Sequence, residues 1–231
     1  MTDINDRLAN LSVAHLCDAC IRVGLPLRFA PLTPIIAGQR ASGRVRPVRH
    51  YGSVDVFLEA LEASAPGDVL VVGNDGRDDE GCIGDLTALE VQRAGLAGIV
   101  IWGRHRDTAI LRTMKFPLFS LGACGRGPVR LDPRGPETFV SAQIGETLAT
   151  AADYVVADDD GVLFIEASSI EAAVGAGESI RDIEQRQVEL MNDGITLREQ
   201  LRFAEYLQAR TEDLSLDFRA HLRALNAAIE E

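Results

Sequence analysis

The sequence predicts an α/β fold that ends in a helical extension, and three stretches carry that prediction. Two apolar runs, Asp68-Val69-Leu70-Val71-Val72 and Gly98-Ile99-Val100-Ile101-Trp102, flank a helix-like segment from Leu86 to Ala94 that turns at Gly95. Strand, helix, strand is the pattern of a crossover between parallel strands, and such crossovers are nearly always right-handed. Phe139 to Ile165 alternates and turns repeatedly, as a β layer does. From Ile180 to Glu231 the pattern is helical.

Taken in order, Ile4 to Val23 reads as one or two helices, with Ser12 as an N-cap and Gly24 as the stop. Val13, Leu16, Cys17 and Cys20 fall at i, i+3, i+4 and i+7, one apolar stripe. That spacing makes Cys17 and Cys20 packing residues rather than a zinc or redox pair. Pro26, Pro31 and Pro34 mark an extended connection, and Gly43 to His50 alternates as a strand with one exposed face. Val54 to Ala63 is a short amphipathic helix, and Pro66-Gly67 turns the chain into the first crossover strand. The acidic loop from Asp75 to Glu80 reads as solvated surface. Phe116 to Ser120 is a short strand. Gly122 to Gly127 is a glycine-rich loop without the lysine and the Ser/Thr of a phosphate-binding loop. Asp158-Asp159-Asp160-Gly161 is a hairpin turn between Tyr154-Val155-Val156 and Val162-Leu163-Phe164. In the helical extension Gly194 is a break, Thr196 and Glu199 form a capping box, and Leu214, Phe218, Leu222 and Leu225 form an apolar stripe.

A chain of 231 residues suits one large domain, or one domain with a helical appendage. Hydrophobic residues are 46% but aromatics only 5%, so aliphatic side chains must build the core. The formal charge of −12, from 23 basic and 35 acidic residues, argues against a nucleic-acid partner, which needs a basic footprint. No apolar run approaches a membrane span, and the acidic, polar N-terminus has no signal-peptide pattern. These features predict a soluble cytoplasmic protein with free cysteines and no membrane partner. None of His15, His50, His105 and His221 pairs with another at metal-ligand spacing.

The crossover has a consequence for chemistry. The start of its helix and the ends of both its strands meet at one sheet edge, where ligands of open α/β layers bind. Gly84, Asp85, Leu86 and Thr87 are thereby expected beside Arg106 and Asp107. A helix N-terminus offers free N–H groups and a positive dipole end to an anion, and Gly84 permits close backbone approach. Arg106 can clamp a carboxylate through two parallel hydrogen bonds. Asp107 is a hard oxygen ligand suited to Mg²⁺ or Mn²⁺, and Asp85 can position water or carry a proton. A small carboxylate beside a divalent ion is the arrangement that stabilises an enolate.

An acidic residue, then twenty residues, then Arg-Asp is a family motif, and Asp85 with Arg106-Asp107 reproduces it. Pro66 to Val72, Gly84-Asp85-Leu86, Ala157 to Val162, and Thr196 to Leu201 followed by Glu205-Tyr206-Leu207 match in the same order. On these motifs, from roughly Leu8 to Arg210, the chain resembles the family uniting class II 4-hydroxy-4-methyl-2-oxoglutarate aldolases with the regulator-of-ribonuclease-activity-A-like (RraA-like) proteins. The resemblance implies an α/β/β sandwich of swivelling-domain type over residues 1–177. It implies a helical extension over 178–231, expected to pack on a partner subunit of a homotrimer or homohexamer. It implies that the Leu86 and Thr87 amides and Arg106 hold a 2-oxo acid carboxylate, and that Asp107 holds the metal, partly through water. Glu184 and Glu189 are candidates for an acid donated by a neighbouring subunit. Two positions depart from the family pattern. Ile110 replaces an acid, and Gly73 to Glu80, the loop expected to face the rest of the substrate, lacks the usual glycine series. The function implied is a divalent-metal-dependent lyase that forms pyruvate enolate. It would do so by retro-aldol cleavage of a 4-hydroxy-2-oxo acid, by oxaloacetate decarboxylation, or by both. The alternative is a non-catalytic binding protein of the ribonuclease-regulator type.

Overall fold

The structure, a computed structural model, describes residues 4–225. Helices α1 (Ile4–Leu8) and α2 (Val13–Arg22) open the chain. Ser12 Oγ accepts the His15 N–H at 3.1 Å, and His15 Nδ1 accepts the Ser12 N–H at 3.2 Å. This is a capping box with histidine in the usual place of an acid. The proline-marked connection forms two short strands, β1 (Arg28–Ala30) and β2 (Thr33–Pro34). Then follow β3 (Ala41–Arg49), α3 (Asp55–Glu62), β4 (Val69–Gly73), β5 (Gly81–Ile83) and α4 (Asp85–Arg93). The chain continues through β6 (Gly98–Trp102), β7 (Arg104–His105), α5 (Thr108–Met114), β8 (Leu118–Ser120) and the hairpin β9 (Ser141–Ile144) and β10 (Thr147–Thr150). Strands β11 (Asp153–Asp158) and β12 (Gly161–Glu166) precede the helices α6 (Ile170–Asn192), α7 (Leu197–Gln200), α8 (Phe203–Glu212) and α9 (Phe218–Leu225).

One mixed sheet runs β1-β12-β11-β3-β4-β6-β8-β2, so the proline-flanked strands take its two edges, where a missing ladder N–H is tolerated. Its middle is parallel, and the predicted crossover pairs Leu70 with Ile99 and Val72 with Ile101. The two-residue period of a strand then sets the layers. Val69 and Val71 face one side, with Val100, Val155 and the hairpin residues Ala142, Ile144 and Ala149. Leu70 and Val72 face the other, with Phe57, Ala88, Val91 and Leu111 of α3, α4 and α5. At the far end of the sheet Tyr154, Val156, Leu163 and Ile165 pack on α1, α2 and α6. Helices, sheet and hairpin therefore form the expected α/β/β sandwich. Each fully buried Val, Leu or Ile contributes ~1.5–3 kcal/mol, which explains how so few aromatics suffice.

The structure departs from the sequence reading at four places. The α6 helix starts at Ile170, not near Ile180, and runs through 177–178 without a break. Its first turns carry Gly175 and Gly177, poor helix formers that hide the start of the helix from a sequence reading, and burial of Ile170, Ala173 and Val174 holds them in it. The short parallel pair β5–β7 had no periodic signal, because two or three residues cannot show one. Glu80 is not solvated but 3% exposed. Leu214 lies ahead of α9 and is exposed, whereas Leu222 is buried and Phe218 packs edge-on against Phe203. Residues 226–231 of the expected helical tail lie outside the described residues.

Candidate active site

Strand β5 delivers the chain to α4, and β7 delivers it to α5. Pairing of the two strands brings Ile83 opposite His105, and the Arg106 N–H donates to the Ile83 carbonyl at 2.9 Å. Gly84 and Asp107 thus become neighbours although far apart in sequence. Gly84 is the N-cap of α4, and its side chain must be absent for a steric reason. A Cβ there would overlap Asp107 Oδ2 and come within 3.0 Å of Arg106 Nε.

Asp107 is the N-cap of α5 in a left-handed conformation, φ 60° and ψ 34°. Aspartate tolerates that region better than most residues, at a cost of ~1–2 kcal/mol. The conformation aims the carboxylate at the start of α4. Its Oδ2 lies 3.4 Å from the Asp85 backbone nitrogen and 3.5 Å from Arg106 Nε. The Asp107 side chain is 35% exposed and that of Arg106 46%, so both remain open to a ligand. Asp85 Oδ1 accepts the Leu86 N–H at 2.7 Å. The Leu86 amide is therefore engaged by Asp85 here, and a ligand carboxylate must displace that side chain to reach it. Thr87 is buried on the inner face of α4, whereas the Leu86 side chain is 79% exposed.

His105 does not line the site. It is 3% exposed, with its ring nitrogens 2.7 Å from Ser120 Oγ and 3.0 Å from Thr108 Oγ1. Burial, and secondarily Arg112, push its pKa below the usual histidine value, so it is a buried ring that ties β7 to Ser120 and Thr108. Burial pushes the Cys82 thiol up to about 12, which leaves it inert as a nucleophile at neutral pH. Glu184, one of the two acids considered for a neighbouring site, pairs with His15 at 3.0 Å within its own chain. Glu189 is an exposed residue of α6.

Beside the Asp85–Arg106–Asp107 cluster lies a second polar constellation that the sequence did not reveal. Arg130 Nη2 donates to Glu80 Oε1 at 3.0 Å and to Asn74 Oδ1 at 2.9 Å, and its Nη1 pairs with Asp132. Asn74 Oδ1 also lies 2.9 Å from His50 Nδ1, whose ring stacks on Phe57 at 5.2 Å. Burial holds the His50 pKa below its usual value. The available signal was the spacing of Arg126 and Arg130 in a loop whose glycines and proline leave it little side chain of its own to bury.

Among the described residues no three His, Cys, Asp or Glu gather into a closed metal cage. The donors present, an open Asp107 carboxylate with Asp85 at the facing start of α4, fit a hard cation that takes one or two carboxylates and completes its shell with water.

Residues 13–164 match the family described as RraA-like, Aldolase/RraA. The chain belongs to the RraA-like family. Over 158 residues it is 29% identical to a protein of Aromatoleum aromaticum named "Putative 4-hydroxy-4-methyl-2-oxoglutarate aldolase", a match covering 67% of this chain and 96% of that one. RraAS2 of Streptomyces coelicolor, described as an unusual member of the RNase ES inhibitor RraA protein family, has a solved structure that aligns with a TM-score of 0.70 at 28% identity. That alignment covers 80% of this chain and 95% of the other. An uncharacterised Pseudomonas syringae protein aligns with a TM-score of 0.75 at 23% identity, over 85% of this chain and 95% of that one, a likeness of fold. RraA-like chains thus carry both lyase and inhibitor names. Among the described residues no helix of this one is long and apolar enough to cross a membrane.

Proposed function

We propose that this RraA-like chain is a divalent-metal-dependent lyase that releases pyruvate from a 4-hydroxy-2-oxo acid, from oxaloacetate, or from both. The observation that carries the reading is the convergence of Arg106 Nε and the α4 N-terminus on the Asp107 carboxylate, at 3.5 and 3.4 Å from its Oδ2. A left-handed aspartate beside an open arginine is the kind of local strain that gathers where a ligand is held, which supports a site there. The aldolase name of the Aromatoleum relative supports the same reading.

Arg106 and the first amides of α4 hold the substrate carboxylate and fix the 2-oxo group beside Asp107. Asp107, with Asp85 close by, would hold Mg²⁺ or Mn²⁺ largely through water. When bound, the cation supplies Lewis-acid stabilisation of the negative charge that develops on the 2-oxo oxygen. In aldol cleavage Asp85, directly or through water, takes the proton of the C4 hydroxyl as the C3–C4 bond breaks. The bond's electrons pass into the enolate, and protonation at C3 gives pyruvate. Decarboxylation of oxaloacetate forms the same enolate without that base.

Exposed apolar side chains support packing against further subunits, as the proposed trimer or hexamer would require. Leu86 and Ile110 flank the site at 79% and 52% exposure, and Val188 and Met191 stand out from the second half of α6. The test is pyruvate release from each substrate by purified protein with Mg²⁺, with Mn²⁺ and with a chelator, each against metal without protein. Metal-dependent release above those controls is expected. No release from either substrate with either metal would overturn the lyase reading and favour the regulator-type one.

A further inference from the structure

The Arg106 guanidinium does not end in open solvent on every side. A Cβ added at Gly127 would lie 2.7 Å from Arg106 Nη1, so the arginine rests against that glycine's backbone. Gly127 is also a wall of a cleft of about 190 Å³, lined further by Arg77, Asp79, Glu80, Arg126 and Arg130. The cleft walls are tied to the site's frame, because the Gly81 N–H at the start of β5 donates to the Arg126 carbonyl at 2.7 Å.

The charges of this cleft are unevenly matched. Asp79 is held by Arg77, at 2.9 Å to Nε and 2.6 Å to Nη2. Glu80 is held by Arg130 at 3.0 Å and lies 3.7 Å from Arg77. Both acids of the lining are therefore neutralised by two of its three arginines. The Arg126 side chain is exposed and makes no side-chain hydrogen bond or close ion pair among the described residues; the carboxylate that feels its charge, Asp79, is already clasped by Arg77. A cation left over in a cleft that shares a wall with the proposed carboxylate clamp suits a second anionic group on the same ligand.

We propose that Arg126 receives the distal carboxylate of a 2-oxo diacid whose 2-oxo acid end sits on Arg106, which makes Arg126 a specificity-determining residue for diacids over monoacids. The inference rests on Arg106 as the 2-oxo acid clamp. A monoacid leaves Arg126 unpaired and gains nothing there. A diacid of 2-oxoglutarate length gains a charge-assisted contact. Sites that hydrogen-bond one group discriminate strongly against analogues that lack it.

The test is calorimetric binding of 2-oxoglutarate and 2-oxopentanoate, which differ in the distal group and cannot undergo retro-aldol cleavage, to the full chain with Mg²⁺ present. Wild type and Arg126→Gln are compared; the position is exposed, so the substitution leaves packing intact. The diacid should bind wild type at least about tenfold more tightly than the monoacid, and Arg126→Gln should erase most of that advantage while leaving monoacid binding within about twofold. Equal binding of the two acids to wild type, or a diacid advantage that survives in Arg126→Gln, would overturn the inference while leaving the clamp intact. Binding of neither acid would overturn the clamp and the inference together. An Arg126-dependent diacid preference in a protein that releases no pyruvate would support the inference and sink only the proposed lyase activity.

Discussion

Asp107 adopts a backbone conformation that few side chains tolerate, and its carboxylate is placed by that conformation rather than by packing. Its φ of 60° turns Oδ2 toward the Asp85 amide and Arg106 Nε. Asparagine accepts the left-handed region about as well as aspartate but lacks the charge. Asp107→Asn is therefore expected to melt within a few degrees of wild type and to lose metal-dependent pyruvate release. Wild-type turnover at equal metal concentration would show that Asp107 is not the metal ligand. Arg106 makes a different demand, because a planar fork meets a carboxylate with two parallel donors and an ammonium cannot. A charge-assisted hydrogen bond contributes ~1.5–3 kcal/mol, so Arg106→Lys should lower kcat/KM at least about tenfold. An unchanged kcat/KM would remove Arg106 from the clamp.

Two short segments, β5 and the loop that ends at Arg130, are held together by ionic contacts beneath the site. Glu80 immediately precedes β5 and is 3% exposed, and the Arg130 side chain is 14% exposed. Breaking a buried pair by removing one partner strands the other charge at a cost of ~3–5 kcal/mol. Arg130→Met should destabilise the protein by roughly that amount in urea melts, because what remains near Glu80 is His50 at 3.6 Å, whose pKa burial lowers, and the more exposed Arg77 at 3.7 Å. Adding Glu80→Gln to Arg130→Met removes the stranded charge, so the double variant should cost clearly less than the sum of the two single ones. Additive losses would show that the pair does not act as a unit.

At the scale of the whole molecule, two buried histidines link stability to pH. His50 and His105 are 2% and 3% exposed, and burial depresses the pKa of both. Below the usual histidine value of about 6.5 the unfolded chain binds protons at these positions that the folded chain does not. Their contribution to stability is complete above that value and is lost as pH falls from it through the depressed folded values. Acids with depressed pKa, such as Glu178 beside Arg7, lose their contribution only at lower pH, across and below the ordinary carboxylate range. The urea midpoint should accordingly be lower at about pH 5.5 than at about pH 7.5, and His50→Gln should narrow the gap. A gap of wild-type size in that variant would exclude His50 as a source of the acid sensitivity.

The sequence by itself determined the crossover and the company it keeps. The apolar runs at 68–72 and 98–102 read as adjacent parallel strands around an intervening helix, and that topology puts Gly84 to Thr87 at the same sheet edge as Arg106 and Asp107, where the short β5–β7 pair then sets their contact. Capping at Ser12 and Thr196 was equally legible, because a cap is a contact between residues three apart. Tertiary structure alone decided the rest. Glu80 is acidic in a run of acids, and nothing local distinguishes it; Arg130, fifty residues on, buries and neutralises it. Only the fold sets Arg126 in the cleft whose wall Gly127 shares with Arg106, beside an Asp79 that Arg77 already clasps. The Leu86 amide is similarly engaged by a side-chain rotamer of Asp85 that no spacing encodes. Periodicity and capping act over a few residues and survive in one dimension, whereas the pairing of charges depends on distances that exist only once distant loops have packed.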